Sequence, residues 1–290
     1  MPKIGVVGTP GGWSSEKLAD TVARLTGFRL LIDMEKVALD LSEKQVMLDH
    51  VNLFGLDALI IKKIGAWYSP DLLDRLEILR FMAENGMRIY SSPLNILRVL
   101  DRLSCTVTLA SAGIPMPPTV VTENIDEAVM AVERYGRAVF KPLYSTKAKG
   151  MRIIECGPDA RRQVREFKTE NSIMYIQAMI DHSGMDLGVT FLGGKYLTTY
   201  ARCGDGSSWN TTTRSGGRYK SFLPGKDLID LAQKAQDLFG LDFTCVDVAV
   251  TPNGPVVFEV SAFGGFKGIE TASNIDPAEL YVNHVLEEIK

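Results

Sequence analysis

Two carboxylates near the carboxyl end are spaced for shared work. The segments Phe243-Thr-Cys-Val-Asp247-Val-Ala-Val and Val256-Val-Phe-Glu259-Val-Ser261 flank the turn signal Thr251-Pro252-Asn253-Gly254, which is the pattern of a β-hairpin. A three-residue loop, Pro252 to Gly254, sets Thr251 against Pro255 and therefore Asp247 against Glu259, with Ser261 two residues further along the same face. Two carboxylates at cross-strand distance in an apolar sheet repel one another. Either one is protonated or a divalent cation lies between them, and hard oxygen donors suit Mg²⁺ far better than zinc. The plain alternative is a hairpin whose acids face solvent. A two-residue Asn-Gly loop would also put the acids on opposite faces.

Lys141 ends an apolar strand and leads into Pro142-Leu-Tyr-Ser145-Thr146-Lys147-Ala-Lys149-Gly150, where ammonium groups and loop N–H donors could converge on a phosphate. No GxxxxGK[ST] sequence occurs, so this is no Walker loop, and the alternative is a solvated connection. A third polar stretch, Trp209-Asn210-Thr211-Thr212-Thr213-Arg214-Ser215-Gly216-Gly217-Arg218, follows Tyr200-Ala-Arg202-Cys-Gly. Arg202 and Arg214 suit a carboxylate or a transferring phosphoryl group; the plain alternative is a surface loop. A competing signal is Gly5-Val-Val-Gly8-Thr-Pro10-Gly11-Gly12 with Asp33 downstream, loosely a dinucleotide fingerprint. Its spacing departs from GxGxxG, and Pro10 removes an N–H from the turn.

Other chemistries find little support. His50, His182 and His284 are scattered, without metal-ligand spacing, and no GxSxG nucleophile elbow occurs. Cys105, Cys156, Cys203 and Cys245 form no CxxC pair and read as reduced thiols of a cytoplasmic protein. The 32 basic and 35 acidic residues give a net charge of −3, which excludes a global pull onto nucleic acid or anionic lipid. No signal peptide and no membrane-length apolar run is present.

The elements that must hold these residues alternate in two ways. Strands at Lys3 to Gly8, Leu30 to Asp33, Ala58 to Lys62 and Arg88 to Tyr90 alternate with helices from Ser14 or Ser15 to Gly27 and from Ser69-Pro70-Asp71 to Asn85-Gly86, which predicts a parallel sheet covered on both faces. One helix is expected from Ser91-Ser92-Pro93 through Leu109, before the Pro-rich stretch Ile114 to Pro118. Beyond it come a helix at Asp126 to Tyr135, strands at Ala138 to Pro142 and Met151 to Glu155, a helix at Asp159 to Lys168 and a strand at Ile173 to Ile180. The last third reads as antiparallel hairpins with two helices, Asp227 to Phe239 and Pro277 to Ile289. The fold class is α/β followed by α+β, and 290 residues allow a cleft between domains.

Read in order, these pieces resemble the ATP-grasp superfamily, and within it the RimK-like carboxylate–amine ligases, with a further likeness to the GAK-system ATP-grasp group. The likeness spans essentially the whole chain and is strongest from Leu94 to Leu280. It implies an N-terminal pre-ATP-grasp domain over 1–97, a small lid over 98–180 and an antiparallel C-terminal domain over 181–290, with ATP between the last two. Position by position, it implies ATP contacts at Arg102, Lys141, Lys147 and Lys149. It implies adenine reading along Gln177-Ala178-Met179-Ile180, ribose contact at Asp186 and an apolar flank to the base at Phe258. Metal ligands fall on Asp247, Glu259 and Ser261, with Mg²⁺ or Mn²⁺ as the ion, and Arg202 and Arg214 fall near the acyl phosphate. Implied partners are small-molecule or peptide carboxylates and amines, with no nucleic acid or membrane; a homo-oligomer is allowed.

The sequence departs from the family pattern at four places. Ser261 replaces an asparagine, the lid loop Ser145 to Gly150 lacks the usual glycines, Gly188 stands where an arginine often follows the ribose acid, and Thr212 replaces another asparagine. Three activities therefore compete: ATP-dependent amide-bond formation, nucleotide binding in a regulatory or partner-binding protein that has lost ligase chemistry, and a Rossmann-type NAD oxidoreductase.

Overall fold

The apolar run Ile4-Gly5-Val6-Val7 buries completely as strand β1 (Ile4–Val7). In this computed structural model, which describes residues 1–146, 148–182, 184–206, 208–212 and 216–290, β1 leads into helix α1 (Trp13–Thr26), and Gly27 ends that helix with a φ of 74°. Strand β2 (Leu31–Ile32) follows. The segment after it forms a small antiparallel meander, β3 (Val37–Asp40), β4 (Gln45–Leu48) and β5 (Val51–Asn52). Then come β6 (Ala58–Ile61), α2 (Asp71–Glu84) and β7 (Ile89–Tyr90). The four strands outside the meander make the expected parallel sheet, in the order β2-β1-β6-β7.

The single helix expected from Ser91 through Leu109 is two. Helix α3 (Pro93–Leu100) stops at Asp101, whose extended backbone (φ −79°, ψ 114°) and carboxylate cap a new helix, α4 (Arg102–Ser111), by accepting from Leu103 N–H at 3.0 Å. The break puts Arg102 at the first position of α4.

The lid sheet comprises β8 (Thr119–Thr122), β9 (Arg137–Lys141), β10 (Arg152–Glu155) and β11 (Met174–Ala178), antiparallel in the order β10-β9-β11-β8, with helices α5 (Ile125–Tyr135) and α6 (Ala160–Glu170). Strand β8 was not expected, because Pro117 and Pro118 mask its start. The remainder is a five-stranded antiparallel sheet of β12 (Met185–Leu192), β13 (Lys195–Cys203), β14 (Arg218–Ser221), β15 (Phe243–Thr251) and β16 (Gly254–Ser261), in the order β14-β13-β12-β15-β16. Helices α7 (Lys226–Asp237), α8 (Phe266–Ser273) and α9 (Pro277–Glu288) pack against it, α8 being a third helix where two were expected.

The cores explain how these parts relate. Ala128, Val132, Phe140, Val164, Phe167 and Ile176 form a cluster confined to the lid. By contrast, Val7, Leu59 and Leu76 of the N-terminal part join Leu187, Val246 and Val260 of the C-terminal sheet in one continuous cluster. A second shared cluster links Ile4, Val6 and Leu18 to Phe243, Phe266 and Tyr281. The first and last parts are fused through apolar packing, and the lid stands apart on its own core.

Candidate active site

The hairpin of β15 and β16 reaches the expected register by a different route. Its loop has two residues, Pro252 and Asn253, with Thr251 facing Gly254, whose φ of 105° suits glycine alone. Carried on without interruption, that register would set Asp247 against Phe258. A bulge between Asp247 and Val248 takes up Phe258 as an extra residue, so Asp247 pairs with Glu259 and Cys245 with Ser261. The three-residue loop was wrong by one residue, and the bulge corrects for it.

The charge problem posed by this pair is met by arginines. Arg202 on β13 lies 2.9 Å from Asp247 and donates through Nε at 2.8 Å to Asp186, its direct neighbour on β12. Arg102 donates through Nη1 to Glu259 at 3.1 Å and through Nε to the Pro142 carbonyl at 3.2 Å. Burial pushes the Asp247 carboxyl above its ordinary range, the Arg202 charge opposes that, and Glu259 and Asp186 reinforce it. Burial also opposes the charge on Arg202, but Asp247 and Asp186 outweigh it and keep the guanidinium protonated. Asp186, Asp247 and Glu259 thus face Arg202 and Arg102. With hard oxygen donors opposed on one sheet face and Glu259 42% exposed, the arrangement fits Mg²⁺ with phosphate oxygens completing its shell. The protein alone does not complete such a shell: among the described residues no three His, Cys, Asp or Glu side chains cluster as a metal cage. Ser261 sits on the same face, opposite Cys245.

Lys141, at the end of β9, is buried, and its ammonium donates to the side-chain oxygen of Gln177. Burial pushes it down to about 7; Arg102 adds to that fall and Glu259 resists it. The Tyr175 ring forms a platform that sequence reasoning missed: the Arg102 guanidinium and the Lys141 ammonium stand 5.9 and 6.0 Å from its centroid. Its hydroxyl meets Thr106 Oγ1 at 2.9 Å. The available signal was Tyr175 alternating with Gln177 along β11. Phe258, delivered by the bulge, has the Lys141 ammonium 5.4 Å from its ring and His182 edge-on at 6.4 Å.

Gln177 is buried, and its amide also donates to Thr119. The N–H groups of Ala178 and Met179 donate to Pro118 and Arg137 carbonyls, while Ile180 N–H donates to no backbone carbonyl among the described residues. Asp186 is buried, with one carboxylate oxygen on Arg202 and the other receiving Thr211 Oγ1, so it is structurally committed. Lys149 has its ammonium over the Trp67 ring, 4.7 Å from the centroid. Lys147 and Arg214 lie outside the described residues.

The amino-terminal glycines have structural uses. A Cβ on Gly5 would stand 2.7 Å from Ile32, and one on Gly8 2.7 Å from Ser15, so both serve close packing. The Gly11 N–H that should face a pyrophosphate donates to Glu16 at 2.7 Å, which puts a carboxylate where a dinucleotide needs a donor. Asp33 caps a short 3₁₀ turn by accepting from Glu35 N–H at 3.2 Å. The dinucleotide expectation is set aside on these grounds.

Residues 99–285 match the RimK-like ATP-grasp domain. The tetrahydromethanopterin:α-L-glutamate ligase of Methanosarcina acetivorans is 26% identical over 324 aligned positions, covering 100% of both chains. A probable α-L-glutamate ligase of Legionella pneumophila is 26% identical over 216 positions, covering 73% of this chain and 72% of its own. Among solved structures, the ATP-grasp ligase PsnB complexed with minimal precursor superposes with a TM-score of 0.77 at 17% identity over 100% of this chain and 99% of that one. A RimK-domain ATP-grasp protein from Sphaerobacter thermophilus gives 0.74 at 18% identity, over 98% and 99%. These superpositions share the fold.

Proposed function

Because the chain belongs to the RimK-like ATP-grasp family, we propose that it is an ATP-dependent carboxylate–amine ligase. A substrate carboxylate oxygen attacks the γ-phosphorus of ATP and ADP leaves; an amine then adds to the acyl phosphate, loses its proton and expels phosphate, leaving an amide or peptide bond. The observation that carries this reading is the convergence of Asp247, Glu259, Arg102 and Lys141, from four separate elements, beside Phe258 and Gln177.

ATP lies between the lid, 98–180, and the C-terminal part, 181–290, with the N-terminal part, 1–97, closing the remaining side. Ile180 N–H reads the base, and Phe258 packs against it. Arg102 and Lys141 bind the phosphates, and a nearby phosphate restores the full charge of Lys141. Asp247 and Glu259, with Ser261 as a weaker donor, would hold Mg²⁺, which supplies charge neutralisation on the β- and γ-phosphates. Arg202, braced by Asp186 and Asp247, orients the carboxylate or stabilises the oxyanion, with Arg214 as a second candidate. Lid closure excludes water, which would otherwise hydrolyse the acyl phosphate. Among the described residues no helix is long and apolar enough to cross a membrane, and a cytoplasmic setting supplies the ATP.

The test is ADP release from ATP and Mg²⁺ with a panel of carboxylates and L-glutamate as the amine, the latter chosen because the relatives above are named as α-L-glutamate ligases. Substrate-dependent release that disappears in Asp247→Asn and Glu259→Gln supports the ligase. Tight Mg²⁺–ATP binding with no turnover across the panel supports a nucleotide-binding protein that has lost the chemistry.

A further inference from the structure

The strand that carries Glu259 and Ser261 is held unevenly. Strand β16 lies at the edge of its sheet, paired with β15 on one side. Upstream of the acid its outer side is tied by the Val257 N–H, which donates to the Pro115 carbonyl at 2.8 Å. Past the acid the strand ends at Ser261, and the chain turns through Ala262, Phe263, Gly264 and Gly265 into α8. Ligating side chains keep their aim only when the groups behind them are fixed, so the end of this edge strand needs a hold from outside the sheet.

Lys62 supplies that hold from the N-terminal part. It opens the loop between β6 and α2, residues 62–70, and is 2% exposed. Its Nζ donates to the Phe263 and Gly264 carbonyls at 2.6 and 2.7 Å, two and three residues beyond Ser261. The same nitrogen stands 3.7 Å from the Phe266 ring centroid, and Lys63 Nζ lies 5.2 Å from the Phe263 ring. The root of the loop is itself fixed, because Lys62 N–H donates to the Val7 carbonyl at 2.8 Å and Arg75 of α2 donates to the Ile64 carbonyl at 3.1 Å. Beneath the turn there is no slack: a Cβ on Gly264 would stand 2.3 Å from the Phe243 ring, and one on Gly265 2.7 Å from the Tyr200 hydroxyl. That hydroxyl meets Cys245 Sγ at 3.6 Å, and the thiol meets Asp247 at 3.6 Å, so the turn also backs the second acid.

We propose that Lys62 is a positioning residue for the metal ion: by gripping the turn that follows β16 it fixes the aim of Glu259 and Ser261, and through Tyr200 and Cys245 that of Asp247. This rests on the ligase reading above, in which those three residues hold Mg²⁺. Lys62 acts through backbone carbonyls and touches neither metal nor nucleotide. Its loss therefore loosens the metal ligands, while Lys141 and Arg102, mounted on β9 and α4, still meet the phosphates.

Lys62→Met keeps the side chain's length and removes both N–H donors. Affinity for ADP is measured by calorimetry with Mg²⁺ and with EDTA, on the wild type and the variant, together with the melting temperature of each apo protein. The factor by which Mg²⁺ tightens ADP binding should fall about tenfold, as loss of a group supporting metal ligands requires, with ADP binding in EDTA unchanged within about twofold. Phe266→Leu takes the ring from the same nitrogen and leaves both hydrogen bonds; it should lower that factor about threefold, and it decides the matter if Lys62→Met does not fold. Equal weakening with and without Mg²⁺, or a lowered melting temperature with the Mg²⁺ factor unchanged, means a purely structural role and overturns the proposal. A wild type whose ADP binding Mg²⁺ does not tighten overturns the metal site of the ligase reading, and this inference with it. A wild type that responds to Mg²⁺, beside variants that respond as strongly, overturns this inference alone.

Discussion

Lys141 offers a quantitative check on the whole arrangement. In the free protein, burial has brought its ammonium from 10.5 down to about 7, so at pH 8 only about a tenth of the molecules carry that charge. A nucleotide phosphate placed beside it favours the charged form, so binding must draw a proton from solvent. The expected uptake is about 0.9 proton per site at pH 8 and about 0.1 at pH 6, and affinity falls by up to about tenfold per pH unit above 7. Calorimetric titration with Mg²⁺–ADP in Tris and in phosphate reads the uptake directly, because the two buffers differ widely in ionisation enthalpy. Lys141→Met keeps the volume and removes the titration: uptake at pH 8 should drop to near zero, with weaker binding that no longer depends on pH above 7. The apo protein carries the opposite linkage. Between about 7 and 10.5 the unfolded chain holds the extra proton, so the stability attributable to Lys141 rises with pH across that window, and its burden is full below 7. Wild-type uptake near zero at pH 8, or uptake that survives Lys141→Met, would refute the placement of this lysine against the phosphates.

Three further outcomes follow from contacts described above. Arg202→Met leaves Asp186 and Asp247 buried without their shared cation, and should cost about 3–5 kcal/mol in urea unfolding, enough to reduce soluble yield, whereas Arg202→Lys should recover part of it. Asp101→Ala removes the cap of α4 and should lower stability by about 1 kcal/mol, while raising the Km for ATP because Arg102 loses its fixed starting point. Gly188→Ala would drive a methyl to 2.3 Å from the Tyr200 ring and should cost about 1–3 kcal/mol by overpacking, relieved when Tyr200 is shortened to Leu in the same chain.

The sequence was most readable where chain direction and burial set a strong period. The parallel strands of the N-terminal part, the hairpin β15–β16 and the long helices declare themselves through apolar runs and turn residues. Legibility failed where a single residue decides the geometry. Asp101 splits one helical pattern into two because its side chain caps the next helix better than it continues the last, and an Asp within an apolar stripe gives weak warning of that. Phe258 shifts a register by one, and no propensity distinguishes a bulge from a longer loop with the same net offset. At the site, residue types pointed to Asp247, Glu259 and Lys141, and the family likeness to Arg102, but the way the acids are neutralised did not emerge. Arg202 reaches Asp247 across the intervening strand β12, a tertiary contact that no local pattern encodes. Lys62 carried no motif and became visible only through what surrounds it.

The apolar packing that runs unbroken from the amino-terminal sheet into the carboxyl-terminal one has a consequence for engineering. Exchanging the first third of this chain for that of a relative, in the hope of moving a substrate preference, would sever Val7, Leu59 and Leu76 from partners on the far side of the join. Such chimaeras should express as aggregates even where each half descends from a stable parent. Grafts limited to the tip of the 62–70 loop, outward of Lys62, leave that seam intact and are the cheaper place to search for new specificity.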